Sequence, residues 1–142
     1  EGVATKRHTL VEAGVLKSYV LSSYSARKLG LKTTGNAGGV RNLMISHSDQ
    51  DLSDLIKEMS TGLLVTELMG HGINLVTGDY SRGASGFWVE HGEIQYPVEE
   101  ITIAGNLKEM FAHLVAVGND VDHRSNILTG SLWVHKMTIA GS

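Results

Sequence analysis

A glycine-rich run in the middle of the chain constrains the fold more than any other feature. It reads Thr77-Gly-Asp-Tyr-Ser-Arg-Gly-Ala-Ser-Gly-Phe-Trp88 and leads into Val89-Glu-His-Gly-Glu-Ile-Gln-Tyr-Pro97. Small residues beside charges and aromatic rings are typical of a loop that lets another molecule approach closely. We predict such a loop over residues 77–86, facing a cleft or a partner, and the alternative is a loop that only turns the chain between two strands. The side chains predicted to make the contact are Thr77, Asp79, Tyr80 and Arg82.

Turn signals elsewhere predict several short strands. Residues 87–90 and 93–98 flank His91-Gly92, where glycine can supply positive φ, so this segment predicts a β-hairpin that residues 101–104 extend. A second hairpin is predicted across Gly14, between residues 3–11 and 15–21. The remaining predicted strands are residues 41–45, 127–134 and 137–140. Residues 63–69 fit either a strand or a continued helix, because their periodicity does not decide.

Two helices are predicted before the glycine-rich run. Ser22 or Ser23 caps a short one through residue 29, and Gly30 ends it. Ser48 begins a clearer one, for which Gly62 is the predicted C′ residue. The apolar stripe of that helix, at positions i, i+3, i+4 and i+7, consists of Leu52, Leu55, Ile56 and Met59.

A third helix is predicted from Asn106, with Glu109 completing a pair like a capping box and Gly118 at its end. Strands therefore outnumber helices, and short turns join most of them. This pattern predicts an α+β fold, with a largely antiparallel, curled β-sheet and two or three short helices against it. The pattern does not choose between a barrel-like and a sandwich-like sheet.

The composition predicts a single globular domain over residues 1–142. Apolar residues make up 42% and charged residues 19% of the chain, which argues against disorder. The net charge is −3 and no basic cluster is longer than Lys6-Arg7, so we expect no nucleic-acid partner. We expect no membrane partner either, because no apolar stretch reaches the ~20 residues that span a bilayer. The chain starts with Glu1 rather than Met, which we interpret as a fragment or a processed chain.

The residue types of known catalytic sites do not come together in the sequence. Cysteine is absent, and none of the seven histidines has a histidine partner three to five residues away, so no zinc motif is encoded. Around Ser85 the second glycine of a Gly-x-Ser-x-Gly motif comes one place early. Neighbouring carboxylates occur as Glu99-Glu100, which point to opposite faces of a strand, and as Asp120 with Asp122, where turn chemistry is the better interpretation. We predict no catalytic residue and no metal ligand in this chain.

Long motifs nevertheless point to a family. They are the glycine-rich run through Glu90, residues 92–108, Ser23-Tyr-Ser-Ala-Arg-Lys-Leu-Gly-Leu31, Met59-Ser-Thr-Gly-Leu-Leu-Val-Thr-Glu-Leu68, Val117-Gly-Asn-Asp120 and Met137-Thr-Ile-Ala-Gly141. Together they closely resemble the C-terminal part of the TldD/PmbA family of metalloproteases, once labelled modulators of DNA gyrase, in its PmbA-like (TldE-like) branch. The resemblance covers nearly the whole chain.

The resemblance implies that residues 1–142 are the C-terminal domain of a longer PmbA/TldE-like protein. It implies a cytoplasmic heterodimer with a TldD-like subunit, in which the pair degrades or processes peptides. Zinc is expected in the TldD-like partner, on a His-Glu-x-x-x-His helix and a cysteine, and neither motif occurs here. This chain would then shape the peptide cleft or the subunit interface, and an edge strand could hold an extended peptide through its backbone.

Two further readings of the resemblance stay open at this point. The chain could be a non-enzymatic regulatory module of the DNA gyrase modulator type, which binds a protein target and takes no part in proteolysis. A homo-oligomer of the fragment also stays open, because a piece of a longer protein exposes apolar surface that once faced its neighbour.

Overall fold

The computed structural model describes residues 1–141, and the chain divides into two compact units, with the division between Leu43 and Met44. The first unit contains a hairpin of β1 (Val11–Glu12) and β2 (Val15–Leu16), followed by the helix α1 (Ser23–Lys28). Gly14 has a φ of 76°, which confirms the predicted turn. The strands on either side of this turn are only two residues long, so the predicted lengths are wrong. All four paired residues are exposed, so burial of side chains does not stabilise a longer hairpin.

The helix α1 begins and ends where the sequence predicts. Ser22 is the N-cap, and its side chain accepts a hydrogen bond from the backbone N–H of Ser25. Gly30, two residues after the helix, has a φ of 66°, a conformation that glycine adopts at low cost. The short strand β3 (Leu43–Met44) is all that forms of the strand predicted over residues 41–45.

The second unit is built around a four-stranded antiparallel sheet. Its strands are β4 (Gly62–Met69), β5 (Asp79–Glu90), β6 (Glu93–Asn106) and β10 (Thr138–Ala140), in the order β10-β6-β5-β4. The helices outside this sheet are α2 (Leu52–Met59) and α3 (Leu107–Ala112). The strands outside it are β7 (Leu114–Val117), β8 (Ile127–Leu128) and β9 (Leu132–Val134). Of these strands, β7 and β9 pair with each other. The α+β prediction is confirmed, and in the described residues the curled sheets do not close into a barrel.

The hairpin across His91-Gly92 is confirmed, with φ values of 53° and 73° at the two turn residues. It is much longer than predicted, because β5 and β6 pair along almost their whole length. One irregularity places Glu99 and Glu100 of β6 opposite Ser85 alone, and Glu100 there has a φ of 54°. A bulge of this kind increases the local twist and bends the strand, which helps to curl the sheet.

The helix α2 starts three residues after the predicted position. Its N-cap is Asp51, whose carboxylate accepts from the N–H of Asp54 at 2.9 Å while the Asp54 carboxylate accepts from the N–H of Asp51. The Ser48 hydroxyl instead donates to the Val117 carbonyl at 3.0 Å. The helix ends at Ser60, with a φ of 62°, so Gly62 belongs to β4 and the ambiguous residues 63–69 form a strand.

The helix α3 is shorter than predicted. Asn106 caps it as expected, since its side chain accepts from the N–H of Lys108 at 3.0 Å. The chain leaves the helix at His113 and enters β7 at Leu114, so the predicted end at Gly118 is wrong. The Glu109 carboxylate lies 3.6 Å from Nδ1 of His113 rather than completing a capping box.

The core of the second unit lies on one face of β5 and β6. Its buried members are Tyr80, Ala84, Ile101 and Ile103. Side chains from α3 and from the chain before β10 pack on this face, among them Leu107, Met110 and Met137. No helix within residues 1–141 has both the length and the apolar character needed to cross a membrane.

Candidate functional site

The predicted loop over residues 77–86 is mostly strand, and this corrects the sequence prediction. β5 begins at Asp79 and pairs with β6 on one side and with β4 on the other. The glycines of the run allow strands to approach closely. A Cβ at Gly86 would overlap the carbonyl of Leu64 on β4, so this glycine serves sheet packing and needs no positive φ.

The four residues predicted to make contact lie in different surroundings. Thr77 and Asp79 are exposed and tied together, with the Thr77 hydroxyl donating to the Asp79 carboxylate at 2.7 Å and Asn106 donating to the Thr77 carbonyl at 3.0 Å. Tyr80 is buried in the core, with 9% of its surface exposed. Arg82 is partly buried on the same face as Tyr80. A shared role for these four residues in a cleft or an interface therefore stays a prediction.

The second unit contains an open cavity of about 680 Å³, which we call the edge groove. Its floor is the core face of the sheet, where Tyr80, Trp88 and Ile103 line it. The helix α2 forms one wall with its apolar stripe, which confirms the predicted stripe as a packing surface. The lining residues of α2 are Leu52, Leu55, Ile56 and Met59.

The edge groove follows the free edge of β4. All seven consecutive residues from Gly62 to Leu68 line it, although alternate residues of a strand point to opposite faces of a sheet. A cavity on one face of the sheet would be lined by every second residue of β4. A cavity lined by consecutive residues must run along the edge of this strand. β4 is the terminal strand of its sheet and pairs only with β5 within the described residues, so part of its backbone N–H and C=O groups point away from any partner.

The opposite side of the edge groove is formed by the segment 131–137, which includes β9. All seven of these residues line the groove as well. β9 pairs with β7 on one side, so its other edge faces the cavity by the same argument. Two strand edges with apolar side chains around them can hold an extended polypeptide by backbone hydrogen bonds and by burial of its side chains.

Asp120 and Asp122, which follow β7 in the chain, have structural roles. Asp120 accepts hydrogen bonds from the N–H and the hydroxyl of Ser131, at 3.0 and 2.6 Å. Partial burial is the largest single influence on the Asp120 carboxyl and would raise its pKa, but the bonds from Ser131 together outweigh it and lower the pKa. Hydrogen bonds from Arg124 lower the pKa of Asp122 to about 2. Both groups are therefore ionised acceptors at neutral pH, and neither is poised as a general acid.

Histidine and carboxylate side chains do not gather into a metal site within residues 1–141, where no three of them have suitable geometry. The only histidine that lines the edge groove in this part of the chain is His135. The groove thus offers apolar walls, backbone hydrogen-bonding groups and the charged side chains of Glu67 and Lys136. Sequence reasoning missed it, and the available signal was the apolar segment 63–69, whose edge position could not be read from periodicity.

Comparison with known proteins finds similarity to one family of metallopeptidases. The family model described as "PmbA/TldA metallopeptidase C-terminal domain" matches residues 1–141. The chain is 59% identical over 141 residues to Metalloprotease PmbA of Escherichia coli O157:H7, covering 99% of this chain and 31% of that protein. It is 55% identical to a Metalloprotease PmbA homolog of Haemophilus influenzae, covering 100% of this chain and 32% of the relative. The chain therefore spans about a third of the length of these curated relatives.

Other relatives extend this picture. A Metalloprotease TldD homolog of Buchnera aphidicola is 25% identical over 132 residues, covering 85% of this chain and 27% of the relative. A crystal structure from Bacteroides thetaiotaomicron, described as a proposed modulator of DNA gyrase, matches with a TM-score of 0.91 and 35% identity over 99% of this chain and 32% of that one. A similarly described structure from Thermotoga maritima matches with a TM-score of 0.89 and 39% identity, covering 98% of this chain and 34% of that one.

Proposed function

The chain belongs to the PmbA/TldD metallopeptidase family as a C-terminal domain, and on that premise we propose that it holds the peptide substrate of a zinc metallopeptidase. It would belong to a PmbA/TldE-like subunit that pairs with a TldD-like subunit in the cytoplasm, and the TldD-like subunit would supply the zinc. This assignment is supported by the identity to PmbA relatives and by the more distant TldD relative.

The observation that carries the proposal is the run of seven consecutive β4 residues along the edge groove. Main-chain hydrogen bonds to a strand edge do not depend on the side chains of the guest, so they suit a peptidase that accepts many sequences. The apolar walls add affinity by removing side chains of the peptide from water. In this arrangement the chain positions an extended peptide, and bond cleavage takes place at the zinc of the partner.

Neighbouring residues of β4 provide a matched test. Leu68 and Met69 are 40% and 45% exposed, and they pair with Ala84 and Gly83 on opposite faces of the sheet. Leu68 lines the edge groove, whereas Met69 does not. We expect Leu68→Trp to fill part of the groove and Met69→Trp to leave it open.

The measurement is peptide cleavage by the full-length protein combined with its TldD-like partner and zinc. Leu68→Trp should raise KM and lower kcat/KM at least tenfold, which corresponds to about 1.4 kcal/mol, while Met69→Trp should stay within twofold of the unmodified protein. Equal effects of the two substitutions, or none for either, would show that the peptide does not use this groove.

A second candidate function is a regulatory interaction module without a role in proteolysis. It is favoured by the description of two similar solved structures as proposed modulators of DNA gyrase. Affinity purification of the full-length protein separates the candidates. Recovery of a TldD-like subunit with zinc supports the peptidase, and recovery of gyrase without that subunit supports the regulator.

A further inference from the structure

The edge groove carries two charges of opposite sign, one on each of its strand-edge walls. Glu67 belongs to the wall formed by β4, and Lys136 belongs to the wall formed by the segment 131–137. Both residues are exposed. Apart from His135, the other residues of the described chain that line the groove are apolar or uncharged. Glu67 and Lys136 therefore set the electrostatic character of the groove.

The two strand-edge walls begin beside α2. At the start of β4, a Cβ on Gly62 would lie 2.7 Å from Sδ of Met59, the last residue of α2. At the start of the other wall, the carbonyl of Ser131 accepts a hydrogen bond from the N–H of Gly118 at 2.8 Å. A Cβ on Gly118 would lie 3.2 Å from Cδ1 of Leu55, which belongs to α2. Both walls therefore start at the same end of the groove.

The two walls also finish at the same level of the sheet. β4 ends at the pair of Met69 with Gly83 on β5. The other wall leads into β10, where Thr138 pairs with Ala104, and Ala104 pairs in turn with Ser81 on β5. Gly83 and Ser81 are only two residues apart on β5. The walls therefore run side by side, from α2 toward the start of β5.

The two charges lie together at the end of the groove that is away from α2. Glu67 and Lys136 are each the next-to-last residue of their wall. The ion pairs within residues 1–141 join other residues, so neither charge has an ionic partner there. An occupant of the groove displaces water from around both side chains. A charge that loses water without gaining a partner of opposite sign is costly, so the charges of the occupant decide how well it fits.

We propose that Glu67 and Lys136 select a peptide with a basic side chain beside Glu67 and an acidic side chain beside Lys136, followed by apolar residues toward α2. This inference rests on the proposed function above and names the substrate class of the edge groove. Backbone pairing with β4 favours no particular sequence, whereas the two charges penalise a peptide that leaves either of them unpaired. They also fix the register of the peptide, so that a constant peptide bond is presented for cleavage. Both are specificity-determining residues and take no part in the bond cleavage itself.

The test uses the full-length protein with its TldD-like partner and zinc, and synthetic peptides built on one sequence of alanine, valine and glutamine with acetylated and amidated ends. In the first set a single lysine moves along this uncharged sequence, and in the second set a single glutamate does. We expect each charge to raise kcat/KM about fivefold at one position. The two favoured positions should lie within about three residues of each other, because both protein charges lie at one end of the groove.

Substitutions at these exposed positions should leave the fold stable and act on the preferences separately. Glu67→Gln should abolish the lysine preference alone, and Lys136→Gln should abolish the glutamate preference alone. Each should also raise cleavage of the uncharged peptide, because binding then strips water from one charge fewer. Glu67→Lys combined with Lys136→Glu should reverse both preferences. Glu93→Gln and Lys108→Gln are matched controls at exposed charges that do not line the groove, and they should leave both preferences intact.

The inference is wrong if the unmodified complex prefers no charged position, or if a preference survives the loss of its charge. Equal loss of activity toward all peptides in a single variant would also contradict it, since that result indicates a structural role. If the double charge reversal restores activity toward all peptides alike, Glu67 and Lys136 pair with each other rather than with the peptide, and the selection is refuted. The proposed function is judged separately by Leu68→Trp and Met69→Trp, whose effects are measured with the uncharged peptide.

Discussion

Gly86 sets the spacing between β5 and the edge strand β4, and Gly86→Ala should therefore destabilise the sheet. A Cβ at this position would lie 2.9 Å from the backbone carbon of Leu64 and 3.0 Å from Cα of Val65, and it would overlap the Leu64 carbonyl oxygen. These atoms belong to the backbone of β4, so no side-chain rotation relieves the contact. The strand itself must move.

Gly83 provides the matched control on the same strand. A Cβ there would meet Cβ of Met69 at 3.4 Å, an ordinary van der Waals contact. Gly83→Ala should stabilise the protein by about 0.5–1 kcal/mol, because alanine loses less backbone entropy on folding. Gly86→Ala should cost about 1–3 kcal/mol as an overpacked position. We expect the free energies of unfolding of the two variants to differ by about 1.5–4 kcal/mol.

The assay is equilibrium unfolding of the 142-residue chain in urea. Trp88 and Trp133 both line the edge groove, so tryptophan fluorescence reports on the region that the substitution disturbs. For a domain of this size each kcal/mol shifts the melting temperature by about 3 °C, so thermal unfolding should separate the variants by about 4–12 °C. If Gly86→Ala proves as stable as Gly83→Ala, the close approach of β4 and β5 is not what requires glycine at residue 86.

Three further predictions concern single interactions. Asp51→Ala should lower the free energy of unfolding by about 1 kcal/mol in the urea assay because α2 loses its N-cap, and an unchanged midpoint would contradict this capping role. Leu55→Ala, at a side chain that is 4% exposed, should cost about 2–5 kcal/mol, whereas a cost below about 1 kcal/mol would mean that α2 packs loosely. Asp122 should titrate at about pH 2 by NMR, and Arg124→Gln should raise the midpoint toward 3.8. Because the folded pKa is the lower one, the Asp122–Arg124 contact contributes stability above about pH 4 and loses it as the pH falls through about 2. A titration midpoint that does not respond to Arg124→Gln would refute that contact.

The sequence predicts turns and helix starts well where they depend on local chemistry. His91-Gly92 and Gly14 both adopt the positive φ that their turns require. Ser22 and Asn106 cap helices because their side chains reach an N–H two or three residues away. Interactions of this range are visible in a few residues of sequence, so they need no knowledge of the rest of the fold.

Contacts between distant residues were not predictable in the same way. Ser48 looks like a helix start, but its hydroxyl donates to Val117, 69 residues away, and Asp51 takes the capping role. The glycine-rich run is predicted as a loop, but it forms a strand. Glycine is needed at residue 86 because the backbone of β4 lies too close for a Cβ, and the local sequence does not show that contact. The edge groove depends on β4 being the last strand of its sheet, and strand order is a property of the whole unit.

The bulge in β4 limits how much of a guest strand can pair regularly with its edge. Between Val65 and Glu67 the register with β5 shifts, with Gly62–Val65 paired before the shift and residues 67–69 after it. A strand that continues regularly past this point would turn its side chains to the opposite face. Uninterrupted pairing therefore extends over about four residues at most. The same interruption makes β4 a poor template for another copy of itself, so the open edge of β4 is protected against growth into fibrils.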